Sequence, residues 1–217
     1  MIVAYFWRIK PSQVPFAIKA MGFDRFSLMR DKNVSFYKSL GTGKGETFTP
    51  NDANVLQWGL VAVVEDIESF DSSAIVKRWR KKSVSEFRAV LDPISSHGQW
   101  ARKEPFVGGI KGWDGQVAAI TRARIKWSQN FRFWSSVPPV TLSLKSAPGL
   151  VAAIGIGEAP IGLQGTFSLW ESASAIREFA YKGAAHQKAI ADTSAYDWYS
   201  EELFARFAVR EVRGTLQ

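Results

Sequence analysis

The chain has 217 residues, 46 % of them hydrophobic and 13 % aromatic, with a net charge of +8, a composition of folded rather than disordered chains. No run approaches the ~20 apolar residues of a membrane-spanning helix, and the lack of cysteine excludes disulfides, thiolate nucleophiles and iron–sulfur clusters. Two histidines are too few for a three-histidine zinc site, and a two-histidine facial triad would have to use both.

The first predicted element is the strand "IVAYFWRI" at Ile2. The amino terminus turns apolar at once, with no basic n-region and no small-residue cleavage site, which gives the expectation of a cytoplasmic protein. The strand has a counterpart. Val3-Ala4 matches Val117-Ala118 of "QVAAITRARI", and Gly41 and Gly43 of "SLGTG" match Gly155 and Gly157 of "AIGIG", both at an offset of 114. Farther along, "EFRAVLDPISSHG" from Glu86 matches "ELFARFAVREVRG" from Glu202 at an offset of 116, with Gly98 over Gly214. Ordered matches at nearly equal offsets imply an internal duplication.

Between these points lies "KRWRKK", Lys77 to Lys82. The basic residues surround a helix instead of forming one face, and no base-reading motif accompanies them. The block is therefore expected to be a solvated helix end, with loose attraction to an anionic membrane surface ranked next and specific nucleic-acid binding last. Residues 92–115 are rich in Gly, Pro and Ser and join the halves, giving units at 1–100 and 116–217 with a linker at 101–115. His97 falls in a predicted "SSHG" turn, where a structural or exposed role is expected.

In the second half, strands are predicted at 116–125, 149–157, 163–170 and 202–213, a short helix at 139–147 and a long one at 172–192. The order βαββαβ is that of a ferredoxin-like unit. Two such units predict an α+β fold whose sheets pack into an α/β barrel with helices outside. "TFSLW" alternates, with Phe167 and Leu169 on one face and Thr166, Ser168 and Trp170 on the other, so one face should line the barrel interior.

On the long helix, Ile176, Phe179, Gly183, His186 and Ile190 share one stripe, while Arg177, Glu178, Lys182 and Lys188 occupy the opposite one. An inward His186 has two readings. Burial can keep it neutral and hydrogen-bonded to a carbonyl, or its neutral imidazole can serve as axial ligand to a planar iron cofactor, with Gly183 one turn back removing bulk beside it.

The strings "AIGIGEAPIGLQGTFSLWES", "AIREFAYKGAAHQKAI" and "WYSEELFARF" resemble the spheroidene monooxygenase family of carotenoid biosynthesis. "RAVLDPISSHGQW" and "ITRARI…FWSSVPPV" resemble its middle segment, so the resemblance spans most of 86–207. It implies a haem-dependent, oxygen-using enzyme that oxidises an acyclic carotenoid to a keto product on a dimeric α/β barrel scaffold. In the broader haem enzymes of that scaffold a helix of the second unit carries the proximal histidine, and His186 is the only histidine here on such a helix, so it is the expected axial ligand, with Phe179, Lys182, Gly183 and Arg132 around the haem. Arg122 and Arg124 are then candidate catalytic hydrogen-bond donors, against the plainer reading that all three arginines are outward-facing strand charges. Phe167, Trp170, Trp198 and Phe204 are candidate walls for a small apolar substrate, or for one from a biosynthetic cluster. An external electron donor and a homo-oligomer are the implied partners. Haem-dependent dehydration or bond formation at nitrogen, and a non-catalytic carrier of haem or another apolar ligand, stand as alternatives.

Overall fold

The computed structural model describes residues 1–43, 52–125, 143–144, 146–158, 165–182 and 199–216. Its first unit comprises β1 (Ile2–Ile9), α1 (Val14–Arg30), β2 (Val34–Gly43), β3 (Ala53–Val64), α2 (Ile67–Asp71), α3 (Ala74–Lys82) and β4 (Ser83–Gly98). The second comprises β5 (Val117–Ile125), β6 (Leu150–Glu158), β7 (Gly165–Trp170), α4 (Ala173–Lys182) and β8 (Tyr199–Arg213). The eight strands close into one barrel in the order β1-β3-β2-β6-β7-β5-β8-β4, every pairing antiparallel.

Each unit alone has the ferredoxin-like order, β4-β1-β3-β2 and β8-β5-β7-β6, and the seams join β2 to β6 and β4 to β8. The duplication is visible in the seam registers. Gly41 pairs with Gly157 and Gly43 with Gly155, so an offset of 114 exchanges the two pairs. At the other seam Ala89↔Val212 and Ser96↔Ala205 exchange at 116. Gly98 and Gly214 occupy equivalent bends with φ +87° and +74°. A Cβ there would lie 2.2 Å from the Glu202 carbonyl oxygen and 2.0 Å from that of Glu86, residues themselves 116 apart. Both bends require glycine.

Strand alternation sends one set of side chains into the barrel. Phe6, Phe87 and Phe167 meet there, with ring centroids 5.1–6.2 Å apart, among aliphatic residues of both halves. Two residues of the joining segment enter the same interior. Trp100 and Phe106 are both buried, and Phe106 lies edge-on to Phe207 at 4.9 Å. The segment 100–115 thus plugs one end of the barrel.

The outer face of the first unit is sealed by α1 and α3. Tyr5, Trp7 and Trp79 stack in series at 5.0 and 5.2 Å, and Asp24 of α1 accepts hydrogen bonds from Arg78 and from Trp79 Nε1. The basic block is therefore not simply a solvated helix end. Trp79 faces the core, Arg78 and Arg80 hold Asp24 and Glu86, and Lys77, Lys81 and Lys82 stand exposed.

The chain differs from the sequence reading at β4. The strand continues to Gly98, because its pairing with β8 resumes after a register shift at Pro93/Ser95. A proline, which has no N–H to give a ladder, is accommodated at such an irregularity. His97 consequently sits on a strand opposite Phe204, and not in a turn. The helix predicted at 139–147, and the long helix beyond Lys182, lie largely or wholly outside the described residues.

Candidate functional site

Where the duplication preserves the backbone, the side chains on the two outer faces can be compared position by position. Phe6 pairs with Gly59 and Ile120 with Phe167, so β1 maps onto β5 at an offset of 114 and β3 onto β7 at 108. On the first face the pairs Tyr5↔Leu60 and Trp7↔Trp58 are large and buried. Their equivalents on the second face are Ala119↔Ser168 and Thr121↔Thr166. Ile9 is replaced in the same way by Ala123. The adjoining strand β6 adds Gly155 beside Thr166 and Ala153 beside Ser168.

The result is a recess in side-chain size only: a face of small residues across β6, β7 and β5, of which Ala119, Ala123, Gly155 and Ser168 are buried. Adding β8, the rows run Gly155–Thr166–Thr121–Phe204 and Ala153–Ser168–Ala119–Arg206. Four strands make a face about 14 Å wide at the usual interstrand spacing. Phe204, 42 % exposed, stands at its margin, and the next residue in that row, across the seam, is His97. The other end is closed by aromatic packing. Trp170 points to this outer face and its ring lies 5.3 Å from that of Phe179 on α4. The first turn of α4 is anchored by Ser172 Oγ, which accepts from Ala175 N at 3.2 Å. It also packs so closely on Gly149 (φ +76°) that a Cβ there would lie 2.6 Å from that of Ala175.

A second constellation occupies the interior at the end of the barrel where β5 and β6 finish and β8 begins. Arg122 is in phase with Ala118 and Ile120, so it points inward, and its side chain is 3 % exposed. The guanidinium donates to Glu201, and to Glu158 Oε1 at 3.1 Å. Glu158 also accepts from Trp100 Nε1 at 2.9 Å and from Lys38 Nζ at 2.8 Å. Glu201 accepts from the backbone N–H groups of Ala101 and Arg102, at 3.0 and 2.7 Å. Those two residues adopt left-handed φ values of 56° and 60°, a strained conformation for non-glycine residues that turns both N–H groups onto one carboxylate. Burial pushes both carboxyls up, but the donors outweigh it. Lys38, Trp100 and Arg122 hold Glu158 below its ordinary value, and Arg102, Ala101 and Arg122 do the same for Glu201.

With two cations and two carboxylates mutually engaged, this cluster is a clamp. It ties β2, β5, β6, β8 and the 100–102 loop together and leaves no partnerless acid or base for proton transfer. Among the described residues no group of three His, Asp or Glu side chains converges to hold a metal ion.

No family model matches the chain. It is 34 % identical over 211 residues to spheroidene monooxygenase of Rhodobacter capsulatus, a match that covers 94 % of this chain and 87 % of the relative. The chain belongs to the spheroidene monooxygenase family. The enzyme of that name from Rubrivivax gelatinosus is 35 % identical over 91 % of this chain and 79 % of its own, and that from Cereibacter sphaeroides 37 % identical over 81 % and 56 %. Among solved structures, aldoxime dehydratase superposes with a TM-score of 0.61 over 96 % of this chain and 81 % of its own at 11 % identity. A second aldoxime dehydratase structure, in complex with butyraldoxime, gives 0.58. At such identities the likeness is one of fold.

Within this member of the family, the predicted site residues separate into distinct places. Trp170 and Phe179 close one end of the recess and Phe204 marks its margin. Phe167 does not join them, because the alternation of β7 buries it in the barrel interior. Arg122 is likewise on the interior side, neither an outward strand charge nor a donor toward the recess. Arg124 shares its phase but is exposed at the barrel end. Lys182 ends the described part of α4, and its side chain, together with Gly183, His186, Arg132 and Trp198, lies outside the described residues.

The sequence reading missed Lys38, Trp100, Glu158 and Glu201. A signal for the two glutamates was present. Glu158 is in phase with inward Ile154 and Ile156, and Glu201 with inward Leu203 and Ala205, so strand alternation alone places two carboxylates inside opposite the equally inward Arg122.

Proposed function

We propose that this chain is a haem-dependent monooxygenase that oxidises an apolar, carotenoid-like substrate. In this reading His186 would supply the ligand to the haem iron, and the small-residue face of the second unit would hold the macrocycle. The observation that supports it is the replacement of Tyr5, Trp7, Trp58 and Leu60 by Ala119, Thr121, Thr166 and Ser168 on an otherwise equivalent sheet. A duplicated unit that gives up its large outer-face side chains gives up burial worth about 1.5–3 kcal/mol for each one, and the small residues that replace them, Ala119 and Ser168 among them, are nonetheless buried. A flat, largely apolar macrocycle fits the width and weak polarity of this floor. The chain has no cysteine, so a neutral histidine is the fitting axial donor.

Haem, when bound, supplies the redox and oxygen chemistry, with electrons from an external donor. The protein's own residues supply the surroundings. Ala119, Ala123 and Gly155 permit close approach, Thr121 and Thr166 offer hydroxyls on the floor, and Trp170 with Phe179 excludes water at one end. An apolar substrate then gains from transfer out of water into this aromatic margin.

The test is a haem titration of the wild type and of His186→Ala and His97→Ala side by side. His97 belongs in the comparison because it stands at the end of the Phe204 row. Loss of the histidine-ligated spectrum in His186→Ala alone is expected. Haem at 100 times its dissociation constant should also stabilise the wild type by about 2.7 kcal/mol, and His186→Ala should lose this effect. Loss in His97→Ala alone would move the ligand to β4. Unchanged ligation in both variants would end the axial-histidine reading.

A further inference from the structure

Helix α1 has a second apolar face that the fold does not use. Its inner side buries Ala17, Ala20, Asp24 and Leu28 against the first sheet, the three-to-four spacing of a packed helix. On the opposite side, Ile18, Phe23, Phe26 and Met29 are 61, 63, 45 and 71 % exposed. Single exposed apolar side chains are ordinary, but four large ones along one helix face mark an interaction surface.

The charges on this face have one sign. Lys19, Arg25 and Arg30 are all exposed. The Lys19 ammonium lies 5.9 Å from the Phe23 ring and the Arg25 guanidinium 4.6 Å from that of Phe26. The single acid of α1, Asp24, is buried and held by Arg78 and Trp79. This arrangement chooses among occupants. A second copy meeting the face about a twofold axis would set Lys19, Arg25 and Arg30 against their own images with no carboxylate between them. An anionic bilayer surface satisfies both elements at once, taking aromatic and thioether side chains at the headgroup boundary and cations among the headgroups.

We propose that the outer face of α1 is a docking surface for anionic lipid membranes, with Phe23, Phe26 and Met29 entering the interface and Lys19, Arg25 and Arg30 facing the headgroups. Helix α1 and the recess lie on the outer faces of opposite halves of the closed barrel, so docking leaves the recess uncovered. The inference does not depend on haem, and its failure would leave the haem titration unaffected.

Co-sedimentation with vesicles of phosphatidylglycerol and phosphatidylcholine, compared with phosphatidylcholine alone, tests it on the full chain. Phe23→Ser/Phe26→Ser/Met29→Ser removes the apolar element and Lys19→Glu/Arg25→Glu/Arg30→Glu reverses the charge. Both sets change exposed positions only, and circular dichroism verifies the fold of each. Wild type should favour anionic vesicles by roughly tenfold or more and release as salt shortens the screening length. Each variant should bind at least about tenfold more weakly, whereas Lys77→Glu/Lys81→Glu on α3 should bind as wild type does. Three results would overturn the proposal: wild-type binding by the apolar variant, equal binding to neutral vesicles, or an equal loss in the α3 control. So would a wild-type dimer that ignores vesicles and dissociates in the apolar variant, which would make the face a self-interface.

Discussion

Replacing Arg122 by methionine should destabilise the fold at neutral pH and much less in acid. The side chain is 3 % exposed and its two carboxylate partners, Glu201 and Glu158, are 11 and 34 % exposed. Removing one partner of a buried ion pair costs about 3–5 kcal/mol, because the remaining charge is left uncompensated. Here the low end applies. Glu158 keeps Lys38 and Trp100, and Glu201 keeps two backbone donors, which points to ~3 kcal/mol. For a chain of this size that lowers the melting temperature by about 6–12 °C.

The sign with pH follows from the folded-state shifts. Both carboxyls titrate below their ordinary value, so they contribute stability that is present above the unfolded value of about 4.3 and is lost as pH falls through the folded values. In Arg122→Met the carboxyls lose this cation and take up protons more readily, so the gap between variant and wild type should narrow steadily from pH 7 to pH 4. Urea unfolding followed by circular dichroism at both pH values measures this. The double variant Arg122→Met/Glu201→Gln, which removes the orphaned charge, should recover part of the loss at pH 7. A difference below about 1 kcal/mol at pH 7, or one that does not change by pH 4, would refute the clamp.

Filling the recess should separate cofactor binding from folding: Thr121→Trp restores the residue found at the equivalent Trp7 and is expected to abolish haem binding in a titration while the far-ultraviolet spectrum stays native. Gly98→Ala and Gly214→Ala should each cost at least ~2 kcal/mol in urea unfolding, since each combines a left-handed φ with a Cβ placed 2.2 or 2.0 Å from a carbonyl oxygen. Gly22→Ala, at a helical position with nothing within 4 Å, should instead gain ~0.5–1 kcal/mol.

The barrel was legible in the sequence because duplication writes the same backbone twice. The offsets at Gly41/Gly155 and Gly98/Gly214 mark the two seams, and at Gly98 and Gly214 a positive φ and a close carbonyl leave few alternatives to glycine. What the offsets could not carry was anything that breaks the symmetry. Arg122 repeats Arg8, which is exposed, so analogy with the first half argues for a solvated arginine. Its burial depends on Glu158, Glu201 and the Trp100–Arg102 loop, which come together only through tertiary structure. The length of β4 was hidden for a related reason. Pro93 and the Ser-rich run after it read as punctuation, and only pairing with β8 makes them strand. The recess was invisible because small residues signal nothing until the register shows which large ones they replace.

The two halves of the barrel have thereby taken on unequal work. In the first, Tyr5, Trp7, Trp58 and Trp79 fill the space between sheet and helices, and Asp24 fastens α1 to α3, so that layer stabilises the molecule without a ligand. In the second, the same backbone carries alanine, threonine, serine and glycine, so that face contributes less side-chain packing of its own. The closed sheet allows this division. Each unit's strands are hydrogen-bonded at both seams to the other's, so a weakly packed outer face in the second unit is held in register by the fully packed first. The Arg122 clamp stands at the end where β5, β6 and β8 meet, and among the described residues it has no counterpart at the opposite end, where Ser85 takes the position equivalent to Glu201. A barrel with one self-sufficient half can therefore carry small residues on the other half's face without losing its fold.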